Sequence, residues 1–456
     1  MSMKDVASDI KTLLKRSPIY PGYRYLVRLK ENPPLYRLPY YPQFQKILSR
    51  QQIESAQIYS TIVGLLTDNQ ENGAVVRLAQ EYFNGEDFLA DMIKLVKVRA
   101  ERHDSTYDSA DESGKFIDRI KSMPPGGGGL DTSQWKSLSC VANSLGLCQI
   151  GYALRQKAVG NLYDKRTRTN TELCDLFLAA MDVADYRTAQ HIIYKRFFIR
   201  KFIYSVARNA KLYLLLFTDY PEYMRMARKL YKSEDQEFAE YVKGKRVAIV
   251  GPAQTNLKSG NEIDSYDIVV RFNYGGKDKI GNREYVGSKT NVTYHGGRRS
   301  GALRKMQNTE FLMDLDWMVL KIHTESKKLN IKNVKERGAH RHMWLPFMGV
   351  FNKIQLTVLD LLMFEPEEIK IFNTNFWLGS KLYHENYTAG VFDDNSIIRS
   401  NAIHDQTTQI NLIRNLWNSG LIKVDNELAA ILMMKNEDIA KKYDDLYQYN
   451  LYSGGI

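Results

Sequence analysis

The period of the hydrophobic pattern changes close to residue 240, and this change decides which folds the chain can enter. Upstream, apolar residues return at helical spacing. Ile47, Ile53, Ile58, Ile62 and Leu65 do so over 47–66, and 88–98, 171–183 and 224–242 behave alike. Downstream, short β-branched and aromatic runs take over at 247–250, 268–272, 292–295, 317–322 and 369–372. Helical patterns fall between and after the later runs, over 350–364 and from His404 through 416. Strands alternating with helices predict an α/β domain with a largely parallel sheet. Pro124 and Pro125 followed by Gly126 to Gly129 stop a helix and predict a linker. The expected organisation is therefore a helical N-terminal region over 1–123, a second helical region over 124–240, and an α/β domain over 241–456.

Composition narrows the function classes. Lys and Arg number 64 against 52 Asp and Glu, a net charge of +12, which favours anionic partners. The basic residues are dispersed and no nucleic-acid-binding motif appears, so nucleic acid is not an expected partner. The three cysteines, Cys140, Cys148 and Cys174, all precede the α/β half and include no CxxC, which disfavours a disulfide framework and a thiolate zinc site. Residues 1–16 carry charges and no apolar core, so they do not read as a secretory leader. The most apolar stretch, 197–217, contains Arg200, Lys201, Arg208 and Lys211. It reads as a buried amphipathic helix or a membrane-surface one, not a span.

The segment 247–273, VAIVGPAQTNLKSGNEIDSYDIVVRFN, holds most of the chemistry. A buried strand runs into Gly251 and a loop of small residues, a junction that lets backbone N–H groups approach a phosphate or ribose. It is not GxGxxG, which disfavours a dinucleotide. The next strand delivers Arg271 and Asn273 at its C-terminal end, where open α/β sheets bind ligands.

Taken together, these residues resemble the large motif of the sialyltransferase family, glycosyltransferase family 29. The matching positions are Val250-Gly251, Asn256-Leu257, Ser259-Gly260, Glu262 to Ser265, Asp267, Arg271 and Asn273, continued by Gly287-Ser288-Lys289-Thr290. Three further blocks follow in the family's order. The stretch 345–377 resembles the small motif through Gly349 and the Asn373-Thr374 turn. Leu382-Tyr383-His384-Glu385 resembles the short histidine–aromatic–acid motif. The stretch 404–424 resembles the last motif, in which a histidine is followed five residues later by an acid. The resemblance covers about residues 244–425. Three departures mark this chain. Pro252 and Ala253 replace the asparagine-containing loop after the glycine, Gln409 replaces the acid, and the cysteines of the family's disulfide are absent. They resemble a bacterial or viral intracellular branch, with a cytoplasmic setting and a peripheral membrane contact.

The resemblance implies a Rossmann-like variant of the GT-A fold and inverting transfer of an acidic keto sugar, sialic acid or Kdo. The donor would be CMP-activated, the acceptor a glycan or glycolipid, and the product a cell-surface polysaccharide or glycolipid. It implies no cofactor and no metal, since a monophosphate leaving group carries less charge than a diphosphate. It casts His404 as general base, a role suited to a near-neutral pKa, and His384 as the group that stabilises the departing phosphate. Gly251, Pro252, Ala253, Asn256, Ser259, Asn273, Gly349, Asn373 and Thr374 would line the donor. Arg271 and His295 are secondary candidates; Arg271 reads equally as an anion-attracting group and as a structural one. His340 and His342, flanking Arg341, read as surface or loop residues. Two other functions stay open at this point. Asp314-Leu315-Asp316 spells the DxD of metal-dependent transferases that use nucleotide-diphosphate sugars. Gln409 in place of an acid also suits a non-catalytic nucleotide- or glycan-binding module.

Overall fold

The computed structural model describes residues 91, 92, 95, 109–124, 130–195, 204–296, 303, 306, 309–321, 331, 333–379, 383, 384, 387 and 400–447. The expected helix over 47–66 lies outside these residues, as do most of 88–98, the glycine run of the linker, and Leu382 and Glu385 of the short histidine motif.

Upstream of residue 243 every described element is helical: α1 (Ser109–Ser122), α2 (Thr132–Ser144), α3 (Cys148–Asp164), α4 (Asn170–Asp182), α5 (Tyr186–Lys195), α6 (Tyr204–Thr218), α7 (Tyr220–Ala227) and α8 (Ser233–Val242), with a short 3-10 turn over Arg228–Leu230. Side-chain caps set several of the starts. Asp131 with Gln134 and Thr169 with Glu172 form reciprocal capping boxes at α2 and α4. In α6 the leucines 212, 214, 215 and 216 are all buried, so this part of the amphipathic stretch faces protein. Among the described residues, no helix is long and apolar enough to cross a membrane.

The second half forms a seven-stranded sheet in the order β5-β4-β3-β2-β1-β6-β7, parallel throughout. The strands are β1 (Arg246–Val250), β2 (Ile268–Phe272), β3 (Val292–His295), β4 (Trp317–Leu320), β5 (Lys335–Gly338), β6 (Glu368–Phe372) and β7 (Lys423–Val424). The intervening helices include α9 (Gly260–Asp264), α10 (Arg283–Val286) and α11 (Lys353–Leu361). After β6 come α12 (Gln406–Asn418), α13 (Asn426–Met433) and α14 (Asn436–Tyr447). Strands β2, β3 and β4 are buried at every position, as expected for a parallel sheet covered on both faces. One core cluster joins one face of the sheet to α1–α8 and to α12–α14; a smaller one covers the other face.

Five strands fall where the hydrophobic runs place them, β4 ending at Leu320. The two edge strands were not foreseen. Both are short and carry lysines, a common way to blunt a sheet edge. In β5, Lys-Glu-Arg-Gly, the inward residue is Arg337, fully buried between the rings of Phe238 and Phe364 and bound to Asp235 and Asp360. His340 belongs to the same network, with its Nε2 2.8 Å from Asp235. His340 is therefore a buried, bonded residue, not a surface one.

The chain steps outward from β1 through β5, then returns to the far side of β1 to lay down β6. Loops leaving β1 and β6 thus diverge at one point, the crevice where open α/β sheets bind ligands. Gly251 ends β1 and donates its N–H to Phe372 O at 2.8 Å. A Cβ on Gly251 would lie 2.3 Å from both Asn373 O and Thr374 Oγ1, so only glycine admits the β6 turn this close.

Candidate active site

Two cavities open at this crevice. The first is lined by Gly251, Pro252, Arg271, Asn273, Lys279, His384 and Tyr387. The second, of about 140 Å³, is bounded by Pro252, Ala253, Asn352, Lys353, the turn Asn373 to Trp377, Tyr383, Tyr387 and Gln406. Pro252 and Tyr387 line both, so the two are neighbouring parts of one crevice. Its walls come from the large-motif loop, the small-motif turn, the short histidine motif and the start of the last motif.

Asn273 ends β2 with φ +50, a conformation asparagine tolerates better than most residues. Its Nδ2 donates to Tyr387 Oη at 3.2 Å, and its buried Oδ1 has no hydrogen-bond partner among the described residues. His384 is tied to the β1 loop by its backbone N–H, which donates to Pro252 O at 2.9 Å. Burial and the charge of Arg271 push its imidazole down to about 4, so at neutral pH the ring is uncharged.

Arg271 is committed to structure. It donates from Nε to Thr290 Oγ1 and Lys289 O, and from Nη2 to Val286 O, fastening the Gly287-to-Thr290 stretch beneath β2. Asn373 is committed in the same way. Its Oδ1 accepts from Thr255, its Nδ2 donates to Tyr285 O, and its backbone N–H donates to the Asp425 carboxylate at 2.7 Å. Its side chain therefore shapes the crevice from behind. Thr374 lies on the second cavity against Gly251. Asn256 is exposed and Ser259 sits at the N-cap of α9; neither is among the residues lining the two cavities. His295 ends β3, buried, with its Nε2 3.4 Å from Thr293 Oγ1.

His404 is held from several directions. The chain is helical over 400–404, breaks at Asp405 with φ +35, and restarts as α12. The expected single helix from His404 is thus two helices joined at a strained residue, and His404 closes the first. Its Nδ1 lies 2.7 Å from Val350 O. A carbonyl can only accept, so Nδ1 carries the hydrogen and Nε2 keeps the lone pair. Gly349, with φ +65, lets the loop approach: a Cβ there would sit 2.4 Å from Ile403 O. Val350 N–H donates to the same Ile403 carbonyl at 3.0 Å. Gln409 completes the clamp. Its Oε1 accepts from Asn352 N–H at 2.9 Å, while its Nε2 donates to Val350 O and to His404 O. Burial pushes the His404 imidazole down to about 4, and the charges of Lys321 and Lys353 act in the same direction.

Asp314 and Asp316 precede β4. Asp314 pairs with Lys277 at 3.1 Å, and Asp316 accepts from Tyr241 Oη and Asn291 Nδ2. A strand advances roughly 3.3 Å per residue, so the length of β4 separates Asp316 from the crevice end, and Asp314 is engaged by a lysine.

Tyr387, Trp377, Asn352, Lys353 and Gln406 line the crevice but were not foreseen as site residues. The signals were weak but present, since Tyr387 follows His384 by three residues and Gln406 follows His404 by two.

Residues 194–393 match the model of glycosyltransferase family 29, the sialyltransferases. No curated protein matches the chain. The matched span begins upstream of β1, among the helices, and holds the large and small motifs and His384; His404 lies just beyond it. With a Rossmann-like parallel sheet and both motif loops meeting at its switch point, residues 194–393 form a region similar to glycosyltransferase family 29.

Proposed function

We propose that this glycosyltransferase moves an acidic keto sugar, sialic acid or Kdo, from a CMP-activated donor to a hydroxyl of a glycan or glycolipid acceptor, with inversion. The observation that carries the reading is His404, whose Nδ1–H is committed to Val350 O so that a neutral Nε2 remains as proton acceptor. In the reaction, the acceptor oxygen attacks the anomeric carbon and its proton passes to Nε2. The bond from that carbon to the phosphate oxygen breaks, and CMP leaves with the electron pair.

His384, neutral and beside Asn273 and Pro252, is the proposed hydrogen-bond donor to the departing phosphate. Asn273 Oδ1 suits a ribose hydroxyl. In the second cavity, Asn375 Nδ2, Gln355 Oε1 and both amide atoms of Gln406 are buried without a protein partner. Donors and acceptors of this kind beside Trp377 and Tyr383 suit a flat base bearing an amino group and a carbonyl, such as cytosine. Gly251, Pro252, Ala253 and Thr374 keep their proposed place along the donor; Asn373 and Gly349 act through the shape of their turns.

The three cysteines are buried and form no disulfide among the described residues, in keeping with a reducing, cytoplasmic setting in which the enzyme meets its acceptor at a membrane surface. The test is CMP release from CMP-sialic acid and CMP-Kdo over a panel of acceptors, for the wild-type chain and His404→Ala. Release that depends on acceptor and is lost in His404→Ala, with CMP still bound, supports the reading. Release of CMP from neither donor, with nucleotide bound, would make the chain a binding module.

A further inference from the structure

His404 is held by Val350 and Gln409 on one side, and a second set of contacts reaches its neighbour Asp405 from the helical region. Arg155, in the middle of α3, is fully buried. A buried guanidinium is costly unless it is paired and hydrogen-bonded, and here Nε and Nη2 find oxygen partners. Nη2 donates to Asp182 Oδ2 at 2.7 Å and to Thr408 Oγ1 at 3.3 Å, and Nε donates to Asp405 Oδ2 at 3.1 Å. Its planar face lies 5.1 Å from the centre of the Phe347 ring.

These partners bracket His404. Asp405 is the next residue, and Phe347 stands two residues before Gly349 on the loop that supplies the Val350 carbonyl. Asp405 also caps α12, accepting from the Thr408 N–H and hydroxyl. A non-glycine residue at φ +35 persists only where its surroundings over-determine it. Arg155, Thr408 and the close approach of Gly349 do so here. Were Arg155 needed only to join α3 to α12, apolar packing would serve as well or better. What apolar packing lacks is a fixed fork that sets the angle of the Asp405 break, and with it the direction of the residue before it.

We propose that Arg155 is a positioning residue for His404, acting through Asp405, so that α3 of the helical region is part of the transfer machinery. This rests on His404 being the proton acceptor.

The test uses the full chain with two conservative variants. Arg155→Lys keeps the charge and loses the fork. Asp405→Asn keeps the cap and the left-handed backbone and loses the charge. The expected result is a fall in kcat of about 10- to 100-fold, the scale of a misplacement near 1 Å, with the donor KM changed less than about threefold. In a His404→Ala background, neither substitution should lower the residual rate further. A lower melting temperature with unchanged kcat in both variants overturns the proposal and leaves Arg155 as a packing residue. Additive losses in the His404→Ala background overturn it as well. Full transfer by His404→Ala would instead remove the reading on which it rests. If Arg155→Lys fails to fold, Asp405→Asn alone decides, through kcat and its non-additivity with His404→Ala.

Discussion

Gly349 offers the sharpest test of how His404 is held. In Gly349→Ala two costs arise. The backbone is left-handed at φ +65, where a residue with a Cβ costs about 1–2 kcal/mol. The new methyl would also lie 2.4 Å from Ile403 O and 3.0 Å from the His404 carbonyl carbon. That is roughly 1 Å inside ordinary contact, and relieving it in a packed interior costs about 1–3 kcal/mol. The two together give about 2–5 kcal/mol. The contacts are backbone atoms, so the overlap is relieved by moving the 401–405 segment, and the imidazole moves with it. A shift near 1 Å at the reacting group is expected to lower kcat about 100-fold. Gly420→Ala supplies the control. Gly420 has φ +70 with nothing within 4 Å of an added Cβ, so it bears the backbone cost alone. Urea denaturation should therefore place Gly349→Ala below Gly420→Ala by about 1–3 kcal/mol. Steady-state CMP release should fall in the first and stay unchanged in the second. Equal stability of the two variants, or a wild-type kcat in Gly349→Ala, would refute the argument that loop contact positions His404.

Other outcomes follow from the same geometry. His342, His384 and His404 are each held down to about 4, against about 6.5 when unfolded. The unfolded chain then binds protons first, so stability is whole above pH 6.5 and falls as pH drops towards 4, with a slope approaching three protons; urea midpoints at pH 7, 5.5 and 4.5 read it. In the reaction, the acid limb of kcat should lie near 4, and a limb at 6.5 would show that His404 is not the depressed group titrating. Gln409→Glu removes donors to two carbonyls and sets a carboxylate against them, costing about 1–3 kcal/mol and lowering kcat more than donor affinity. His384→Ala should reduce kcat/KM for the CMP donor by about 10²-fold while leaving the melting temperature within a degree or two. Arg337→Met leaves Asp235 and Asp360 buried without their partner and should cost about 3–5 kcal/mol in chemical denaturation.

What was legible in the sequence was the part of the fold that depends on local pattern. Short β-branched and aromatic runs stand out from the helical pattern around them, which is why β1, β2, β3, β4 and β6 could be placed from composition and spacing. β5 was hidden because its inward side chain is Arg337, whose burial depends on Asp235 and Asp360 more than twenty residues away on either side. The break at Asp405 was hidden for a similar reason. The periodicity from His404 onward reads as one helix, and only contacts from α3 and from Gly349 show why it is two. In the site, the glycines and histidines were visible through their motif positions. The commitments of Arg271 and Asn373 were not, because nothing local distinguishes a polar side chain that meets a ligand from one that meets a neighbouring loop.

Gln409 is the residue that most invites reading this chain as a binding module, since an acid stands at that point in the motif. The geometry weakens that inference. The imidazole does not need an acid at 409 for its tautomer, because the Val350 carbonyl already fixes it. The 409 side chain meets one donor, Asn352 N–H, and two acceptors, Val350 O and His404 O. A carboxylate could satisfy only the first, whereas an amide satisfies all three. A glutamine here thus suits the loop it clamps better than an acid would. The neighbouring acid, Asp405, is instead turned to Arg155 from outside the sheet. The substitution at 409 and the buried pair at 155 and 405 are consistent parts of one arrangement, in which the imidazole is kept neutral and aimed by backbone carbonyls and by the helical region.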